Sequence, residues 1–295
     1  MVIRNSFILA ILMVANNCFG YFYCVYAAKK RINNNTAPQY IILLADYHDK
    51  THPINKEQRA YLESLLQRCR NKKVKLIVED LSSTNNDGRM ICCKYGINCA
   101  DGVLGHLAHK ARSCGIPVDN VEYRYCRVAS IGPLINNLHA DPHSFKSSAT
   151  ITLLSLYKEI INEIEKIKRY DDGKTLNTFY KQVIADVHNM LSKMKLCCID
   201  RKISVAHHCT TLKHRTYRQE LEKLCIFDSA LIDINIMHAI VCCDANLIFV
   251  VAGGSHIEQV YKWLKKMGYE AFFVVPHHRF KPVDITVLDT FLKYG

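Results

Sequence analysis

The chain has 295 residues, 49% of them hydrophobic and 22% charged, a composition that excludes a disordered or fibrous chain and allows a substantial core. Its 39 Lys and Arg against 27 Asp and Glu give a net charge of +12, yet the cations are scattered and the densest runs, Lys29-Lys30-Arg31 and Lys72-Lys73, are short. The charge is read as a solvated surface, and nucleic acid is not an expected partner.

Met1 to Ala28 reads as an export signal or N-terminal anchor. Arg4 gives a positive start, Phe7 to Val14 an apolar stretch, and Val25-Tyr26-Ala27 a cleavage-type sequence, with Cys18-Phe19-Gly20 as a second cut. Asn16-Asn17 breaks the apolar run, which argues against a stable span; membrane contact is expected only through this segment if it stays uncleaved. Export to a periplasm or the outside is therefore expected. Residues 29–38 form a polar linker, and a single domain is expected over 39–295. Of the fourteen cysteines, Cys18 and Cys24 fall in the leader. The pairs Cys92-Cys93, Cys197-Cys198 and Cys242-Cys243 argue against a simple disulfide framework, and no CxxC spacing marks a zinc ribbon. Bridges around Cys92 to Cys99 and reduced, buried thiols stay open as alternatives.

Tyr40 to Leu44 is a short apolar run, as in a strand covered on both faces, and it ends in Ala45-Asp46-Tyr47-His48. A helix over Asn55 to Arg70 follows, with Tyr61, Leu62, Leu65 and Leu66 at helical spacing. Val74 to Val78 is a second strand, ending in Glu79-Asp80. The Ser-, Asn- and Cys-rich stretch Leu81 to Ala100 reads as a long loop, and Gly102 to Ser113 as a helix. Ile116 to Tyr123 is a third strand, with Arg124 and Arg127 past its end as an anion clamp. A helical insertion is expected over about 144–226, followed by a helix over Ser229 to Val241. Asn246 to Val251 is a strongly β-prone strand ending in Gly253-Gly254-Ser255-His256, followed by a helix over Ile257 to Met267 with Gly268 as its C-cap. Tyr269 to Val275 is a last strand, and Asp284 to Leu292 a short helix.

Two strand-turn-helix units thus carry a histidine four residues into the turn, His48 and His256, 208 residues apart (256 − 48). Glycines at the second turn allow a sharp bend and leave room for a ligand beside the imidazole. In a parallel sheet, ligands sit beyond the carboxyl ends of the strands, where Asp46, His48, Glu79 and His256 would all lie.

Ala45-Asp46-Tyr47-His48, Glu79 and Gly253-Gly254-Ser255-His256 resemble the erythromycin esterase / ChaN-like / TIKI–TraB superfamily, with its two GxxH-type turns and strand-end glutamate. The likeness spans about Gln39 to Val275, with Asp46 standing where the family usually has Glu. It implies an α/β fold with a central mixed, mostly parallel sheet flanked by helices and carrying a helical insertion. It also implies an exported hydrolase of ester or peptide bonds, in which His48, Glu79, His256 and Asp46 activate water. Tyr47, Arg124, Arg127, Gly253 and Gly254 would bind a small-molecule or peptide substrate. In metal-dependent members His48, Glu79 and His256 would hold a divalent ion such as Mn, Co or Zn; other members need no metal. The alternatives are a ChaN-like haem- or iron-binding protein, with Tyr47 or a histidine as ligand, and an inactive relative that acts as an interaction surface.

Overall fold

The computed structural model describes residues 21–30, 38–47, 54–79, 103–121, 181, 182, 185, 229, 230, 232–275 and 282–295. Six strands form one sheet: β1 (Tyr21–Lys30), β2 (Gln39–Tyr47), β3 (Val74–Val78), β4 (Val118–Asn120), β5 (Leu247–Gly253) and β6 (Glu270–Val275). Their order is β4-β3-β5-β2-β1-β6. β4, β3, β5 and β2 run parallel, while β1 is antiparallel to both of its neighbours, β2 and β6. Helices α1 (Ile54–Arg68), α2 (Val103–Ser113), α3 (residues 232–241) and α4 (Gly254–Lys266) flank the sheet, and a 3-10 helix covers Thr286–Tyr294. This is an α/β architecture with a mixed, mostly parallel sheet, as expected from the sequence.

The central strands are apolar on both faces because both are covered. On one face Ile42, Leu44, Leu76, Val78, Phe249 and Val251 join a cluster with Leu62, Leu65 and Leu66 of α1, Leu107 and Ala111 of α2, and Leu288 and Phe291 of the 3-10 helix. The alternate residues Ile41, Leu43, Ile77, Ile248 and Val250 are buried too, on the side of α3 and α4, whose Ile232, Ile236, Ile240, Ile257, Val260 and Leu264 are equally buried. Both α2 and α4 stop at a glycine with positive φ, Gly115 (77°) and Gly268 (85°). At α4 the Gly268 N–H donates to Lys265 O and the Tyr269 N–H to Leu264 O, the paired bonds that close a helix at a left-handed residue. Gly268 therefore closes the helix as expected, one residue past the C-cap Met267.

The main correction concerns the N-terminus. Tyr21–Lys30, read as the end of an export signal and the start of a linker, is β1, an internal strand of the sheet. Aromatic and β-branched residues that satisfy both faces of an internal strand have the same apolar signature as a leader, so composition alone could not separate them. The folded unit thus extends back to Tyr21 rather than beginning near Gln39. A cut after Val25-Tyr26-Ala27 would sever β1, whereas one at Cys18-Phe19-Gly20 would leave it whole. Among the described residues, no helix is long and apolar enough to cross a membrane.

Smaller differences are of boundary. β4 is three residues rather than the expected eight, α4 begins three residues early, and the C-terminal helix is 3-10 over Thr286–Tyr294. The helical insertion lies outside the described residues apart from the helical residues 181, 182 and 185. The Cys92–Cys99 loop lies outside them as well. Cys24, Cys69, Cys114, Cys242 and Cys243 carry reduced thiols.

Candidate functional site

β3, β5 and β2 are adjacent and parallel, so their carboxyl ends form one rim, bearing Glu79, Gly253 and Asp46. The Glu79 N–H continues the ladder by donating to Val251 O at 2.9 Å, which fixes the residue just past the end of β3. One Glu79 carboxylate oxygen, Oε2, accepts the N–H of Gly253 at 2.8 Å. Gly253 is the N-cap residue of α4, so the buried carboxylate sits at the positive end of that helix, a stabilising placement. The other oxygen, Oε1, lies 3.5 Å from Nε2 of His256.

Because α4 starts at Gly254, His256 falls in its first turn, and its ring reaches back over the rim. Its second nitrogen, Nδ1, lies 2.7 Å from Oδ1 of Asp233 on α3. Glu79, His256 and Asp233 are 5%, 6% and 8% exposed, so this carboxylate–imidazole–carboxylate chain is shielded from bulk water. The proton inventory is restrictive. An Nδ1–H donated to Asp233 leaves Nε2 with a lone pair facing a lone pair of Glu79 across 3.5 Å. A proton on Nε2, which makes the ring an imidazolium, lets it donate to Glu79 as well as to Asp233. With a proton, the pair is a buried acid–base couple whose orientation Asp233 fixes. The spacing also suits a metal. Two ligands on a tetrahedral ion at ordinary zinc–nitrogen and zinc–oxygen lengths stand about 3.3–3.6 Å apart. A carboxylate on the far nitrogen is the usual support of a metal-binding histidine. Among the described residues, no group of three or more His, Cys, Asp and Glu is arranged to hold a metal ion, and the expected third ligand, His48, lies outside them.

Gly254 has a reason other than ligand space. A Cβ there would stand 1.4 Å from the hydroxyl of Tyr23, so this tyrosine, 5% exposed, already fills the place a side chain would take. Tyr23 reaches it through a bulge. The β1–β2 register shifts between Phe22, opposite Asp46, and Cys24, opposite Ala45, leaving Tyr23 as the extra residue. The buried amide of Gln58 on α1 supports the bulge. Its Oε1 accepts the Phe22 N–H at 2.8 Å, while its Nε2 donates to Val283 O at 2.8 Å and to Phe22 O at 3.4 Å. The expectation that Gly254 leaves room for a ligand is therefore corrected: the chain's own phenol fills that room.

Of the predicted site residues, the structure brings Glu79, His256 and Gly253 together. Asp46 is buried on the same rim, in register with Gly253, but strand alternation puts it on the face of Ile42 and Leu44, whereas Glu79 shares the face of Ile77. It is thus a neighbour of the chain rather than a member of it. His48, Arg124 and Arg127 lie outside the described residues, as does the side chain of Tyr47, whose backbone ends β2. The sequence reading missed Asp233 and Tyr23. A carboxylate inside the apolar run Ile232-Asp233-Ile234 was the available signal for the first, since a buried acid needs a partner. Tyr23 gave none once its segment was read as a leader. Compared with known proteins, the chain matches no family model, no curated protein and no solved structure.

Proposed function

We propose that the protein is a hydrolase of ester or peptide bonds whose water-activating group is the His256–Glu79 couple, with Asp233 as the residue that orients the imidazole. The observation that carries this reading is the bracketing of one buried imidazole by two carboxylates, with Glu79 anchored by the Gly253 N–H. His256 Nε2 takes a proton from water, with Glu79 beside it, and later returns that proton to the leaving group. Asp233 stabilises the imidazolium formed between these steps. The strand ends around Asp46 and Gly253 form the rim on which a substrate would lie.

The Nε2–Oε1 spacing favours a second form of the same reading, in which His256 and Glu79, with His48, hold a divalent ion. A bound ion supplies a more acidic water and polarises a carbonyl. Export of such a hydrolase remains part of the proposal, resting on the apolar, positively started N-terminus.

The test is elemental analysis, a visible spectrum with added haemin, and an ester and peptide hydrolysis panel on the full chain and its His256→Ala and Asp233→Asn variants. Hydrolysis should fall by about 10²–10⁴ in His256→Ala. It should fall less in Asp233→Asn, which keeps shape but disturbs the tautomer. One equivalent of metal, lost in His256→Ala, supports the metal form; no metal with retained hydrolysis supports the metal-free couple. Undiminished turnover in His256→Ala overturns both, and a haem band without hydrolysis replaces them with the binding protein.

A further inference from the structure

A second cluster of reactive side chains lies on the same face of the sheet, outside the Glu79–His256–Asp233 chain. Where α3 passes β3 and β4, Asn235, His238, Ala239 and Cys242 meet Lys75, Asp119 and Val121 around a polar cleft of about 140 Å³. We propose that this cleft is a thiol-nucleophile site for small acyl donors, with Cys242 as the nucleophile and His238 as its proton acceptor.

The geometry comes from helix spacing. His238 and Cys242 are four residues apart at the end of α3, and the Cys242 N–H still donates to His238 O at 3.0 Å, which holds the register. The two side chains meet with Sγ 3.5 Å from Nε2. Burial pulls the His238 pKa below its usual value, against the Asp119 carboxylate and with the Lys75 ammonium, so the ring is neutral near pH 7 and its Nε2 can accept a proton. The Asp119 carboxylate, itself 2.6 Å from Lys75 Nζ, offsets the charge once the proton arrives. The end of α3, its negative pole, favours an imidazolium there as well.

The other described thiols lack this setting. Cys24, Cys69 and Cys114 are buried, and burial pushes Cys69 up to about 11. Cys243 is raised by burial and accepts the Ala245 N–H, whereas Cys242 is exposed at the cleft. The cleft admits an acyl group of a few heavy atoms rather than a peptide, and Lys75 and Asn235 bring N–H donors for its oxygen.

The step is an acyl exchange. As Sγ attacks the carbonyl carbon, its proton passes to His238 Nε2 and the C–S bond forms. The bond to the leaving alkoxide or thiolate then breaks, and that group takes the proton from the imidazolium. An ester plus the thiol thus gives an acyl-thioester on Cys242 plus an alcohol, with no oxidant or reductant required.

The full chain is mixed with p-nitrophenyl acetate, quenched in acid, and the acetyl adducts are located by peptide mass mapping. Reading the covalent adduct separates this site from any ester hydrolysis at the rim, so either proposal can fail alone. Within one native sample, Cys242 should be acetylated at least about tenfold faster than Cys243, and His238→Gln should remove that advantage. Cys242→Ala, a change at an exposed position, should abolish the fast adduct with an unchanged thermal melt. Equal labelling of Cys242 and Cys243, no adduct at Cys242, or an undiminished rate in a folded His238→Gln variant each overturns the proposal.

Discussion

At the amino ends of the strands the buried polar residue is Gln39, a neutral amide. Its Nε2 donates to Cys243 O at 2.9 Å and Ala245 O at 3.3 Å, and its Oε1 accepts the hydroxyl of Tyr269 at 3.3 Å. At the carboxyl ends the described buried polar residues include the ionisable Asp46, Glu79, Asp233 and His256 beside the amide of Gln58. The amide end satisfies backbone carbonyls and ties loops to the sheet without burying a charge. The carboxylate end buries groups whose desolvation costs several kcal/mol each unless their partners are well placed. A fold that needed only closure could use amides at both ends. Among the described residues, the buried carboxylates and imidazole gather at one end, and they mark where the chain has accepted a cost that stability does not require.

Substitutions that remove one partner at each end test this contrast most strongly. His256→Leu leaves Glu79 and Asp233 buried without the imidazole between them, and chemical denaturation should show a loss of about 3–5 kcal/mol. Gln39→Leu strands neutral groups only and should cost about 1–3 kcal/mol, without touching hydrolysis. Equal losses at the two ends would remove the distinction. Gly254→Ala sharpens it by a different route. The added methyl meets the Tyr23 hydroxyl, and the overpacking should cost about 1–3 kcal/mol, read as a lower denaturation midpoint.

A pH titration gives a smaller effect away from both ends. Burial raises the Cys69 thiol from 9.0 to about 11, so the unfolded chain loses this proton first. The contribution is whole below pH 9 and falls as pH rises from 9 to 11, and Cys69→Ala should flatten that part of the profile. The smallest change is expected at the surface. The Arg68–Asp289 pair, 2.6 Å apart and half-exposed, should contribute less than about 1 kcal/mol, checked by the thermal melt of Asp289→Asn.

Among the described residues from Gln39 onward, strand and helix identities were legible where an apolar run was bounded by polar turns. Val74 to Val78 was placed to the residue, and Gly268 ends α4 as its position after the last periodic residue requires. Half of the site was equally legible. Glu79 and His256 follow strand ends, and strand ends in a parallel sheet converge. Asp233 was not, because its role depends on α3 lying beside the first turn of α4, a tertiary fact that local pattern does not carry. Tyr23 was hidden twice, by the leader-like composition of β1 and by a bulge that re-aims one side chain without leaving a mark in the alternation.

β1 has one more consequence, and it concerns the order in which the chain can be completed. Its long-range partner is β6: the Cys24 thiol donates to Val275 O at 3.0 Å, 251 residues away. During synthesis, the first strand of the sheet therefore waits with one edge unpaired until β6 has been made, while β2, β3 and β5 assemble on its other side. Such a distant pairing is slow to find, and an open strand edge is the part of a nascent sheet most prone to pair with another chain. Premature termination before residue 270 would leave that edge permanently open, turning the interior of this sheet into its aggregation-prone border.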